Sequence, residues 1–121
     1  MKRYVVLIAY RPWDWSSATP EVRQSYFDAH DAFQHYVDEH GSHLGSAALG
    51  DADTATTLAT AADGSRTVTD GPFAELAEQV GGYFDVELPD LDSAIAAARL
   101  LPAAYTVEIR PVVTIAGYDP T

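Results

Sequence analysis

Two stretches with helical apolar spacing alternate with strand-like runs, and that order constrains the fold more than any other feature of the chain. The first stretch opens at Pro20, a residue favoured in a helix's first turn. Val22, Tyr26, Ala29, Phe33, Tyr36 and Val37 then recur at helical spacing through His40, and Gly41 supplies the stop. The second, PDLDSAIAAARLLP, lies between Pro89 and Pro102 and turns Leu91, Ala94, Ile95, Ala98 and Leu101 inward. Ahead of the first helix, RYVVLIAY (3–10) is apolar on both faces, which predicts a central strand covered on both sides. Between the helices, YFDVEL (83–88) alternates strictly: Phe84, Val86 and Leu88 face one way, and Tyr83, Asp85 and Glu87 the other. YTVEIRPVVTI (105–115) predicts the last strand, with Pro111 at an edge or bulge.

The middle of the chain is less regular. HLGSAAL (43–49) and TATTLATA (54–61) flank the turn DADT and predict a pair of strands, which RTVTD (66–70) continues as a hairpin after ADGS. In VTDGPFAELAEQVGGYF (68–84), Phe73, Leu76, Ala77 and Val80 fall at i, i+3, i+4 and i+7. That spacing predicts a short amphipathic helix stopped by Gly81 and Gly82. The order β-α-β-β-(short α)-β-α-β is an α+β, ferredoxin-like arrangement, with helices over one face of a mainly antiparallel sheet. A length of 121 residues suits one core, so residues 1–121 are read as one domain. The other sheet face would carry Tyr4 or Val5, Tyr83 and alternate residues of 105–115, too apolar to leave wet. A second copy packed sheet to sheet covers it, which predicts a homodimer.

Several function classes have no support in the composition. The net charge is −11, and the basic residues Lys2, Arg3, Arg11, Arg23, Arg66, Arg99 and Arg110 are scattered, so no stripe exists to neutralise phosphates of a nucleic acid. No window approaches the ~18 apolar residues of a membrane span. MKRYVVLIAYRPWDW lacks a small-residue cleavage site, and a cytoplasmic location is the default expectation. The absence of cysteine removes disulfides and thiolate catalysis. Phosphate loops, G-x-G-x-x-G and G-x-S-x-G are missing, so nucleotide-binding and α/β-hydrolase readings have no support. Nor does GDADTATT fit the calcium-loop pattern.

VTDGPFAELAEQVGGYF, followed by DLDSAIAAARLLP and TVEIRPV, resembles the YCII-related family in its DGPF-domain branch. HDAFQHYVDEHG is similar to that family's helix, in which a His precedes the closing Gly by eleven residues, here His30 and Gly41. The resemblance spans nearly the whole chain. It departs at Ala47, where relatives often carry Glu, and at Leu76-Ala77, where Thr-Lys is common. It implies a dimeric α/β barrel of ferredoxin-like halves, with a cleft between the first helix and the sheet. It also implies a site joining His30 to Asp70, and cofactor-free lyase, isomerase or cyclase chemistry on a small organic metabolite. The alternative is a non-catalytic ligand-binding or accessory dimerisation module.

The residue chemistry is compatible with both. A His held by a carboxylate makes a general base near neutral pH. His30 lies ~80° round the helix from Val22, at the rim of the apolar stripe where a cleft-facing group would sit; a half-exposed imidazole without a role would sit there too. Asp70 before Gly-Pro also suits a turn or helix N-cap. Glu75 and Glu78 share one side of the predicted helix, as an acid–base pair or as its solvated face. Tyr83 could donate its phenol to a substrate or fill the dimer interface. Arg110 could pair with a substrate carboxylate or guard an edge strand. Trp13 and Trp15 could line a pocket mouth or anchor their loop. His30, His35 and His40 are ~140° apart in succession and cannot converge on one metal ion, and Gly41 separates His40 from His43.

Overall fold

The computed structural model describes residues 1–119. Among these, six strands and two α-helices run β1 (Lys2–Tyr10), α1 (Pro20–His40), β2 (Ser42–Ala48), β3 (Thr56–Thr60), β4 (Arg66–Asp70), β5 (Gln79–Leu88), α2 (Leu91–Ala98) and β6 (Thr106–Pro111). Single 3-10 turns lie at Trp15–Ser17 and Ala52–Thr54. The main sheet has the order β2-β5-β1-β6, and every neighbouring pair in it is antiparallel. This mixed α+β architecture is compatible with a ferredoxin-like fold.

Local chemistry explains where the helices start. The Thr19 hydroxyl accepts the Val22 N–H at 3.2 Å, Pro20 occupies the first turn, and the Gly41 N–H closes the far end on the Val37 carbonyl at 2.8 Å. Asp90 caps α2 by accepting the Ser93 N–H at 2.8 Å. Both helices pack on the sheet face that carries Tyr4, Val6 and Ile8 of β1 with Val86 and Leu88 of β5. Phe33 of α1 is fully buried, its ring centroid 4.5 Å from that of Phe84. Burying such a side chain contributes about 1.5–3 kcal/mol.

The irregular middle departs from the sequence-based expectations. The hairpin of β3 and β4 forms as anticipated, but as a separate two-stranded sheet. β2 pairs with β5, not with β3. Residues 71–78 form bends and coil, so the predicted short helix is absent. Its apolar stripe has nothing to pack on: Phe73 is 92% and Leu76 66% exposed. A single turn and a half without tertiary contacts does not repay nucleation. Asp70 therefore caps no helix; it ends β4 opposite Thr56. Gly71 follows with φ of +101°, a left-handed conformation that disfavours any other residue, and its N–H donates to the Ala55 carbonyl at 2.7 Å.

Gly81 and Gly82 lie inside β5 rather than ending a helix. Tyr4 is buried on the helix face, and the uncovered face carries Val5 and Leu7. β1 is thus apolar on both sides although the chain itself covers only one. In α2, Leu91 is half-exposed and Ala97 takes the inward position. The last strand ends at Pro111, short of the predicted 115.

Candidate functional site

α1 turns Tyr26, His30, Phe33 and Val37 toward the sheet, each three or four residues from the last. Phe33 and Val37 are sealed into the core. One turn earlier the helix and sheet part, and a cavity of about 600 Å³ opens under Tyr26 and His30. Its walls come from α1, from the ends of β1 and β2, from the middle of β5 and from Tyr105 just ahead of β6.

Tyr105 is the partner of His30. Its hydroxyl lies 2.9 Å from the His30 Nε2, in a partly buried hydrogen bond between groups 75 residues apart. The Tyr105 ring stacks on Tyr10 at 5.4 Å and meets the Tyr26 ring edge-on at 5.8 Å. Burial holds the His30 imidazole below its ordinary value, opposed only in part by the charge of Asp31. Burial, with Tyr10 and Tyr26 adding to it, pushes the Tyr105 phenol up to about 12. Both groups are uncharged at neutral pH, and a neutral imidazole and a phenol can share one proton in either direction.

Gly81 explains how Tyr10 reaches Tyr105. Ile8 pairs with Gly82 and Ala9 with Val80, so Gly81 is the extra residue of a β-bulge. A Cβ at that position would overlap the Tyr10 ring. The glycine therefore leaves the groove in which Tyr10 lies.

The mouth is built by the loop after β1. Asp14 accepts the Ser16 N–H at 3.0 Å and the Ser16 hydroxyl at 2.6 Å; the hydroxyl's hydrogen bond, first, and the N–H's hold its carboxyl below the usual range. Arg23 of α1 donates to the carbonyls of Trp15 and Ser16 at 3.3 and 2.8 Å. Its guanidinium carbon also sits 5.9 Å from the centre of the Trp15 ring. So fastened, Trp15 packs edge-on against Tyr26 and Phe27 at 5.6 and 5.8 Å.

The predicted site residues separate into distinct places. His30 and Tyr83 line the cavity. Trp13 stands behind it, 5.5 Å from Trp15 and 5.6 Å from Tyr26. Asp70 and Glu75 line a different hollow with Asp53, beside the β3–β4 hairpin. Within one chain, then, His30 and Asp70 share no cavity and no hydrogen bond. Glu78 accepts the Thr106 hydroxyl at 2.6 Å. Arg110 is exposed on the edge strand β6, 3.4 Å from Glu108. Of the remaining histidines, His35 pairs with Glu39 at 2.9 Å and His40 donates to the Tyr36 carbonyl at 2.9 Å. Among the described residues no group of three or more His, Asp or Glu is placed to hold a metal ion, and no helix is long and apolar enough to cross a membrane.

Sequence reasoning missed Tyr105 and Tyr10 altogether. Tyr26 carried a usable signal, since it lies four residues before His30 on the same helix face. Tyr105 had none, because only the return of β6 to β1 brings it to the helix.

The YCII-related domain matches residues 2–116 of the chain. No curated protein matches it.

Proposed function

Because the chain belongs to the YCII-related family, we propose that its cavity is the working site of that domain here, and that His30 moves protons on a small organic molecule without a cofactor. The observation that carries this reading is the 2.9 Å contact between His30 Nε2 and the Tyr105 hydroxyl at the edge of an open cavity of about 600 Å³. With Tyr105 donating to Nε2, the phenol oxygen can accept a proton from a bound molecule while passing its own to the imidazole. The reverse transfer returns a proton at another atom, which is the net requirement of an isomerisation, elimination or ring closure. Asp70 has no part in this scheme, since it lines another hollow.

The uncovered sheet face belongs to the same reading. Val5 and Leu7 lie there, with Asp85 and Tyr83 of β5 on one side and Arg110 and Glu108 of β6 on the other; Asp85 pairs with Arg3 at 2.6 Å and Arg110 with Glu108 at 3.4 Å. A second copy placed on it would complete a dimeric barrel, with the Arg3–Asp85 pair of the two central strands inside the contact and the Glu108–Arg110 pair at the β6 edge.

The test is a metabolite panel read with the wild type and with His30→Ala. Turnover of any substrate found should fall by about 10²–10⁴-fold in the variant, with little change in melting temperature. Unchanged turnover would remove His30 from the chemistry. Ligand binding without turnover in the wild type favours the non-catalytic module, which the uncharged lining of the cavity also suits.

A further inference from the structure

Seven of the residues lining the cavity are aromatic besides His30, and none is Lys, Arg, Asp or Glu. Its side-chain hydrogen-bonding groups are few: the His30 imidazole, the Trp15 indole N–H, Ser46 and the hydroxyls of Tyr10, Tyr26 and Tyr105. We propose that the cavity takes an uncharged, flat aromatic molecule bearing one hydroxyl or carbonyl group, with the ring against Trp15 and Tyr26 and the oxygen at the His30–Tyr105 pair. This rests on the reading of the same cavity given above and supplies the class of its ligand.

An anion is disfavoured on three grounds. A carboxylate in this lining would find no cation, and an unpaired charge moved out of water into an apolar wall is heavily penalised. At the mouth, the Arg23 Nη2 is turned to the carbonyls of Trp15 and Ser16. The net charge of −11 repels an approaching anion as well.

A compact cation is disfavoured by how the rings are already used. The Trp15 ring, the best cation-binding surface at the site, has the Arg23 guanidinium 5.9 Å from its centre. Tyr105 is stacked by Tyr10. The volume of about 600 Å³ is also much larger than a small ammonium fills, and has room for a flat ring system. Rings that meet edge to face, as Trp15 meets Tyr26 and Phe27, offer both faces and edges to a further flat ring.

The test uses probes that differ in one property each: 2-naphthol, 2-naphthoate, decahydro-2-naphthol and tetramethylammonium. Affinities are measured by calorimetry at neutral pH on the whole chain, and the His30 ring nitrogens are followed by NMR. 2-Naphthol should bind one per chain, at least about tenfold more tightly than each of the others, and should shift the His30 nitrogen signals. Trp15→Leu, a change in a half-exposed loop residue, should weaken 2-naphthol by a similar factor with circular dichroism unaltered. Tighter binding of 2-naphthoate or tetramethylammonium, or none of 2-naphthol, overturns the ligand class. So does equal binding of the saturated ring. Failure of the proton-transfer reading looks different: 2-naphthol binds as stated, while His30→Ala leaves turnover of a panel substrate intact.

Discussion

A histidine that is kept neutral leaves a mark on stability. The folded protein disfavours protonated His30, so its value lies below the ordinary 6.5. Between that ordinary value and the lowered one, the unfolded chain binds the proton that the folded chain refuses. Acidification through this window therefore favours unfolding, and the contribution is intact above pH 6.5. Urea midpoints measured from about pH 7 to pH 5 should fall with acidification. His30→Gln, which keeps a hydrogen-bonding group for the Tyr105 hydroxyl, should flatten the slope. An unchanged slope would place the titration elsewhere. The resemblance to the family's helix led to His30, whose place at the rim of an apolar helical stripe suited a cleft-facing group and a roleless imidazole alike. Its partner was not legible. The carboxylate expected beside it is a phenol from the far end of the chain, and a tyrosine at the head of a strand reads as packing. Ala47 is itself part of the cavity wall, in keeping with a lining free of charge.

At the level of elements, Gly81 is the position where one atom decides most. An added methyl group meets the Tyr10 ring, which must then leave its stack on Tyr105. Gly81→Ala should cost about 1–3 kcal/mol in chemical denaturation, whereas Gly45→Ala, with open space at its Cβ, should stay within about 0.5 kcal/mol. Equal effects at both positions would mean that the bulge, not the ring, sets the cost. The long periodic elements were readable in advance: Pro20–His40 begins and ends where Pro20 and Gly41 say, and the alternation of 83–88 survives intact within β5. The stretch 73–80 was not. Its apolar spacing is helical, but Gln79 and Val80 pair with the end of β1 instead, and that partner is about 70 residues away in the chain. The same blindness to distant pairing joined β2 to β3 across DADT. β5 is the longer and better buried neighbour, and it takes β2.

For the molecule as a whole, the open side of the sheet is the feature that solution behaviour should report. If a second copy covers it, sedimentation should give twice the chain mass of 13.0 kDa. Leu7→Lys, on the uncovered face of β1, should return the single-chain mass while leaving the helix-side core untouched. A wild type that sediments as one chain would remove the dimer. The sheet order has a different outcome during synthesis. β1 is made before the strands it pairs with, and both of them, β5 and β6, lie about 70 or more residues further along the chain. A nascent polypeptide must therefore keep a largely apolar ribbon unpaired until β5 has been made. Slow translation or premature termination would expose that ribbon longest, and aggregation of truncated products should begin there.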